Sequence, residues 1–103
     1  MRETKPGCER DCAVERAIGI IGGKWKLYII RVLLVEGPLR FNRLLEAIEG
    51  ISPKVLTQNL RELEQAGVIQ HEAPQAPYAV TGSGQRLMGP LHALGEWADQ
   101  HQA

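Results

Sequence analysis

The stretch ISPKVLTQNLREL, from Ile51 to Leu63, predicts a helix with two chemically different faces. At about 100° per residue, three leucines fall on one side and a row of polar residues falls nearly opposite. The polar row has no acid and carries the ammonium, hydroxyl, amide and guanidinium groups that bind base edges and phosphates. We therefore expect one face in the core and the other on DNA. The leucines are Leu56, Leu60 and Leu63, and the polar row is Lys54, Thr57, Gln58 and Arg61.

The ends of this helix are also specified by the sequence. Ser52 is a favourable N-cap, and Pro53 suits the first helical position. The helix is expected to end near Ala66, because Gly67 readily adopts the left-handed conformation that follows many helices. The backbone N–H groups at the start of a helix can bind a phosphate. Ser52 and Pro53 therefore belong to the candidate DNA-binding surface.

Three more helices are predicted before this one. The first has apolar residues at i, i+3, i+4 and i+7, and the third is a short amphipathic helix of about two turns. The second is apolar nearly all round and is expected to be buried, with a strand as the alternative because of its β-branched residues. The expected bounds are a cap at Asp11 and a stop at Gly22 and Gly23 for the first, Lys24 to Glu36 for the second, and Phe41 to Ile48 for the third.

The segment after the fourth helix predicts a hairpin and a last helix. VIQH (68–71) and YAV (78–80) have strand character, and EAPQAP (72–77) forms the tip between them. After Thr81, apolar residues follow a helical stripe from Leu87 to Ala98, which Pro90 either kinks or delays. The predicted fold is mainly α with a small β-hairpin. A two-faced helix after a tight turn, followed by a hairpin, is typical of a winged helix-turn-helix.

Composition limits the architecture and the class of protein. A chain of 103 residues, 44% hydrophobic, is expected to form one domain over residues 1–103. Arg31 interrupts the most apolar run, and the N-terminal segment lacks the apolar region of a signal peptide, so we expect a cytoplasmic protein without a membrane segment. The net charge is zero, but residues 1–61 carry +4 and residues 62–103 carry −4. A basic part could thus approach DNA while the acidic part faces away.

Motifs for catalysis or metal binding are not found in the sequence. GIIGGKW lacks the spacing of a phosphate-binding loop and has Trp25 in place of the required Ser or Thr. The three histidines have none of the companion residues of a zinc motif. We therefore expect neither an enzyme nor a metal or other cofactor.

Further polar residues lie near predicted helix starts, where short contacts to backbone phosphates form easily. The aromatic residues Trp25 and Tyr28 lie on an apolar helix and are expected in the core. Trp97 is expected there as well, with a dimer interface as its alternative. The candidate phosphate contacts are Lys24, Lys26, Arg40, Asn42 and Arg43.

The sequence resembles the HxlR-type family of bacterial winged helix-turn-helix transcriptional regulators. The resemblance rests on GGKW, GPLRFN, ISPKVLTQNLRELEQAG and YAVTGSGQRL, and it covers most of residues 12–87. It implies a dimer that binds operator DNA and regulates transcription. It also implies a cysteine at the position of Cys12, which in some members senses oxidants or electrophiles. The chain departs from the family at Ala13, where Pro is usual, and in its wing, because residues 62–85 contain no Lys or Arg.

A redox role for Cys12 has arguments on both sides. With Asp11 as the cap, Cys12 lies in the first helical turn, where the positive end of the helix and Arg16 favour the thiolate. Asp11 and Glu15 oppose it. Cys8, expected outside the helix, is the candidate resolving partner. The alternative is that Cys12 simply packs as a small apolar residue in the dimer interface.

These patterns together predict a homodimeric transcriptional regulator whose first and last helices form the dimer. Its partner is double-stranded DNA, with a pseudo-palindromic operator that matches the two-fold symmetry. Two alternatives stay open: a winged helix used as a protein-interaction module, and a regulator that senses a metal or a small ligand. The sequence does not define the inducer.

Overall fold

The structure is a computed structural model that describes residues 8–101, with side chains from residue 12 onward. This part of the chain forms six helices and one two-stranded antiparallel sheet. The predicted fold class, mainly α with a small β-hairpin, is confirmed. The elements in chain order are α1 (Cys8–Ile21), α2 (Lys26–Glu36), α3 (Phe41–Ala47), α4 (Pro53–Gln65), β1 (Ile69–Gln70), β2 (Ala79–Val80), α5 (Gly82–Gln85) and α6 (Met88–Gln100).

The core forms around the apolar face of α4. Its three leucines are essentially inaccessible to solvent, as the helical periodicity of the sequence predicts. They belong to one cluster with the buried face of α2 and with Leu44 of α3. Val68 and Ile69 close the cluster from the β1 side. The buried residues of α2 are Ile29, Ile30 and Leu33.

Both ends of α4 are stabilised as the sequence predicts. The Ser52 hydroxyl accepts a hydrogen bond from the Val55 backbone N–H at 3.1 Å, and Pro53 is the first helical residue. At the other end Gly67 has a φ of 80°, and the Val68 N–H donates to the Leu63 carbonyl at 3.0 Å. This hydrogen bond is the 6→1 bond of a Schellman motif, which satisfies a carbonyl at the end of the helix. These contacts therefore fix where α4 begins and where it ends.

The hairpin is attached to the helices on two sides. Ile69 pairs with Val80 and Gln70 with Ala79, so the ladder is shorter than the two predicted strands. Beyond it, Tyr78 forms an isolated antiparallel bridge with Leu39, which precedes α3. The Tyr78 N–H donates to the Leu39 carbonyl at 2.7 Å. The hairpin is therefore fixed to the connection between α2 and α3.

Several expectations about helix bounds are wrong. α1 begins at Cys8, so Asp11 lies within the helix and is not its cap. α2 begins at Lys26, two residues later than predicted. The last helical region is two helices, and α6 starts at Met88 with Pro90 as its third residue. Proline is tolerated in the first turn of a helix, where its missing N–H is not required, so Pro90 delays the helix and does not kink it.

Two aromatic residues predicted in the core are on the surface. Tyr28 is 55% exposed and Trp97 is 62% exposed, whereas Trp25 is partly buried against the core. Val35 of α2 is also exposed, so this helix is not buried all round. α2 is therefore buried on the side that carries Ile29, Ile30 and Leu33 and largely exposed at Tyr28 and Val35.

Gly84 is expected to be required for packing. A Cβ at this position would overlap the Val68 carbonyl oxygen and the Val80 side chain, both closer than real Cβ atoms approach. We predict that Gly84→Ala lowers the free energy of unfolding by about 1 to 3 kcal/mol. The control is Gly82→Ala in the same helix, where a Cβ would meet nothing within 4 Å. Urea denaturation measures both variants, and equal stability of the two would contradict this packing.

Candidate nucleic-acid interface

The polar row of α4 is an exposed surface opposite the buried leucines. All four side chains are exposed, as are Ser52 and Pro53 at the start of the helix. We call the four residues Lys54, Thr57, Gln58 and Arg61 the polar face of α4. A single helix with one buried and one exposed polar side is the arrangement that a recognition helix needs to enter a major groove. The structure thus brings together on α4 six of the eleven residues predicted to contact DNA.

A chain of polar contacts joins α2 to this face. The Gln58 amide Nε2 donates to Glu62 Oε2 at 2.5 Å, one helical turn further along. The other carboxylate oxygen of Glu62 lies 2.7 Å from the Lys26 Nζ. The Lys26 side chain is only 14% exposed. The sequence predicts that Lys26 contacts phosphate, but the structure pairs it with Glu62.

The pKa of Glu62 is lower than the ordinary value of 4.5. The largest cause is the hydrogen bond from Lys26, followed by the hydrogen bond from Gln58 and by the positive charge of Lys26. Each of these interactions favours the ionised carboxylate. Sequence reasoning missed Glu62, although its spacing of i, i+4 from Gln58 is the spacing at which helical side chains meet.

The other candidate phosphate contacts are exposed at the starts of two helices. Lys24 lies before α2, with its Nζ 4.7 Å from the centre of the Trp25 ring. Arg40 is the residue before α3, and Asn42 and Arg43 are in its first turn. Arg43 also lies 3.7 Å from Glu46, a contact between two largely exposed side chains that leaves the guanidinium accessible.

The hairpin packs on the last turns of α4 through His71. The His71 ring stacks on Tyr78 with 4.1 Å between the ring centres, and its Nδ1 lies 2.9 Å from Glu64 Oε2. Burial raises the pKa of Tyr78, the charge of Glu64 raises it further, and Arg61 lowers it. These contacts hold the hairpin beside α4, and residues 62–85 contain no Lys or Arg.

The N-terminal helix differs from the expectation for Cys12. Because α1 begins at Cys8, Cys12 lies beyond the first turn, so the argument that the positive end of the helix activates it fails. Cys12 is disulfide-bonded. Cys8 is the first residue of the helix and not part of a preceding loop. Its predicted role as resolving partner concerns a side chain that lies outside the described residues.

Large apolar side chains are exposed on both α1 and α6. Six of these side chains are between 41% and 62% exposed, and exposed apolar patches often mark an interaction surface. These helices are the ones that the sequence predicts to form a dimer. The exposed residues on α1 are Val14, Ile18 and Ile20, and those on α6 are Met88, Leu94 and Trp97.

Two features are absent from the described residues. Between residues 12 and 101, no three His, Cys, Asp or Glu side chains come together as a candidate metal site. None of the helices in the described range is both long enough and apolar enough to cross a membrane.

The order of the helices, the two-faced α4 and the hairpin behind it define a winged helix-turn-helix protein. The profile of the HxlR-like helix-turn-helix family matches residues 20–103. An HTH-type transcriptional regulator of Methanothermobacter thermautotrophicus is 38% identical over 95 residues, which cover 87% of this chain and 72% of the relative. The chain belongs to the HxlR-like helix-turn-helix family of transcriptional regulators.

Solved structures of similar proteins agree with this assignment. Quinone-bound YodB from Bacillus subtilis superposes with a TM-score of 0.80 at 34% identity, covering 87% of this chain and 99% of YodB. The redox regulator HypR in its reduced form gives a TM-score of 0.74 at 32% identity, covering 84% of this chain and 90% of HypR. The predicted family and the predicted winged helix-turn-helix are therefore both confirmed.

We predict that Lys26→Met raises the pKa of Glu62 toward 4.5, because it removes the largest cause of the lowered value. In the folded wild type the ionised form of Glu62 is favoured. The contact with Lys26 therefore stabilises the folded state above pH 4.5, and this stabilisation is lost as the pH falls through the lowered pKa of Glu62. A carboxyl NMR titration measures the change. Arg43→Met is the control, since Arg43 contacts Glu46 instead. A Glu62 pKa that does not change in Lys26→Met would contradict the contact.

Proposed function

We propose that this protein represses or activates transcription by inserting α4 into the major groove of an operator. The observation that carries the proposal is the exposed, acid-free polar face of α4 opposite its fully buried leucines. Membership of a family of transcriptional regulators supports it. The proposed activity is binding, without a catalysed reaction, and it takes place in the cytoplasm.

The residues of the polar face have different roles in this proposal. Gln58 can form a bidentate pair with adenine, and Arg61 can bind guanine or a phosphate. Lys54 contacts a phosphate, and Thr57 contributes a short polar contact. The remaining proposed contacts are to phosphates. They are made by the Ser52 hydroxyl at the helix start, where Pro53 lies against the DNA without a donor of its own, and by Lys24, Arg40, Asn42 and Arg43 on the preceding elements.

We predict that Gln58→Ala and Lys54→Ala weaken DNA binding in different ways. A binding site is first selected from a library of random duplexes with the wild-type protein. Gln58→Ala is expected to cost about 1 to 3 kcal/mol on the selected site and less on random DNA. Lys54→Ala is expected to weaken both, and to reduce the slope of log K against log salt by about 0.9 for each phosphate that the variant no longer neutralises.

The matched control for this experiment is Gln85→Ala, which removes an exposed glutamine from α5. It is expected to leave both affinities unchanged. Equal losses on selected and random duplexes for Gln58→Ala would remove Gln58 from base readout. If the wild type enriches no sequence from the library, the proposed function itself is contradicted, and a protein-interaction role becomes the better explanation.

We also propose that α1 and α6 form a two-fold dimer. The support is the set of large apolar side chains that these helices expose in the single chain. Burying them against a second copy would remove them from water, and each large apolar side chain contributes about 1.5 to 3 kcal/mol when fully buried. A two-fold dimer would present two copies of α4 to a pseudo-palindromic operator with half-sites about 10 bp apart or a multiple of that.

Light scattering is expected to give the mass of a dimer for the wild type at micromolar concentration. Ile18→Asp and Trp97→Asp should each shift the mass toward that of a monomer, because a carboxylate would have to be buried in the interface. Ala73→Asp introduces the same charge at the exposed tip of the hairpin and should remain dimeric. A monomeric wild type, or variants that all remain dimeric, would contradict this interface.

We propose, further, that the regulator responds to oxidation through Cys12. The support is the disulfide at Cys12 and the similarity to HypR, which is a redox regulator. Formation of a disulfide takes two protons and two electrons from two thiols, which an oxidant such as diamide accepts. DNA affinity is expected to differ between dithiothreitol-reduced and diamide-treated wild type, but not in Cys12→Ser. Equal affinities of the reduced and oxidised wild type would leave Cys12 with a packing role.

A further inference from the structure

We propose that Glu62 is a positioning residue that fixes the side-chain amide of Gln58 for adenine, and that Lys26 holds Glu62 in place. This inference rests on the proposed function, because it concerns how the polar face of α4 reads a base. It assigns a role in specificity to Glu62, which need not contact DNA, and to Lys26, which belongs to α2.

The contacts form one continuous chain from Lys26, at the start of α2, to the side-chain amide of Gln58. Lys26 is largely covered, and its Nζ lies 2.7 Å from Glu62 Oε1. The other oxygen, Oε2, accepts from Gln58 Nε2 at 2.5 Å. An exposed glutamine has several rotatable bonds and loses side-chain entropy when it is ordered on a base. Gln58 instead has its amide held before DNA arrives, so part of this cost is met in the free protein.

The chemistry of the contact determines which way the amide faces. An ionised carboxylate only accepts hydrogen bonds, so it admits the NH₂ side of Gln58 and repels the carbonyl side. The carboxylate of Glu62 is ionised at neutral pH, since its pKa lies below the ordinary value of 4.5. The Gln58 carbonyl oxygen and its second N–H then remain available for DNA. These are the acceptor and the donor that match the N6 amino group and N7 of adenine.

The same geometry disfavours guanine at the base pair that the Gln58 amide contacts. Guanine presents two acceptors, O6 and N7, in the major groove, so it needs two donors. One of the two N–H groups of Gln58 is already used by Glu62, and the exposed carbonyl oxygen of Gln58 would face a guanine acceptor. Without Glu62 the amide can rotate and direct its NH₂ group to guanine. Glu62 is therefore expected to determine the preference for adenine over guanine.

A simple electrostatic role for Glu62 makes a different prediction. Glu62 is an acid beside a DNA-binding face, so its removal should strengthen phosphate contacts to any sequence by a similar factor. Removal of a positioning residue should instead lower the ratio of affinities for two sequences that differ at one base pair. The ratio therefore separates the two roles, whereas the affinity for one duplex does not.

The experiment uses the duplex that the wild-type protein selects from a random library. Each adenine is replaced by 7-deazaadenine, which lacks the N7 acceptor, and the loss of affinity is compared between the wild type and Gln58→Ala. The base at which only the wild type loses affinity is the one that depends on Gln58. The affinity ratio between adenine and guanine at this position is then measured at constant salt. The variants are Glu62→Gln, Lys26→Met and Glu36→Gln, the last of which removes one exposed acid at the far end of α2.

We expect the wild type to prefer adenine about 5- to 150-fold, the range of a good bidentate pair. Glu62→Gln should reduce this ratio toward that of Gln58→Ala, because an amide at position 62 both donates and accepts and no longer selects one orientation of Gln58. Lys26→Met should reduce the ratio partly. Glu36→Gln should leave it unchanged. Glu62→Gln keeps the size of the side chain, so it provides the test even if thermal melting shows that Lys26→Met does not fold.

Several results would overturn the proposal. An adenine preference in Glu62→Gln equal to that of the wild type and Glu36→Gln would show that Glu62 does not position the amide. A selected site in which no adenine depends on Gln58 would overturn it as well, while leaving DNA binding by α4 intact. A wild-type protein that enriches no sequence would instead contradict the proposed function, and the inference with it.

Discussion

Packing of the α4 leucines against the isoleucines of α2 is the interaction on which the rest of the structure depends. Leu56, Leu60 and Leu63 are essentially inaccessible, and at about 1.5 to 3 kcal/mol for each buried side chain their contribution is comparable to the whole stability of a small domain. Because the helical period is fixed, burial of this side places the polar face of α4 outward. The Ser52 cap and the Schellman motif at Gly67 then set where the exposed surface begins and ends.

The same contact between α2 and α4 also organises polar groups at its edge. Lys26 and Glu62 pair where the two helices meet, and Glu62 reaches Gln58 on the polar face. The wing is attached nearby, through His71 on Glu64 and through the bridge between Leu39 and Tyr78. Since residues 62–85 contain no Lys or Arg, we expect the wing to support α4 and the proposed phosphate contacts to come from the helices.

Local signals in the sequence are sufficient to predict α4, its caps, the hairpin and the exposed position of the polar face. They fail where the outcome depends on groups distant in sequence. Nothing local indicates that Lys26 pairs with Glu62 across two helices, or that Tyr28 and Trp97 lack a covering element within the described chain. The start of α1 is also mispredicted, because Asp11 is a good cap residue by type but the helix begins before it. An apolar stripe predicts burial without specifying whether the partner is the same chain or a second copy.

The central claim is that the polar face of α4 contacts DNA while its leucine face holds the core. Its most direct test is an NMR titration of the isotopically labelled protein with the duplex selected by the wild type. We expect the largest changes at the Gln58 side-chain amide and along Lys54, Thr57 and Arg61, with little change at the methyl groups of Leu56 and Leu60. Changes confined to α1 and α6, with the Gln58 amide unaffected, would contradict it.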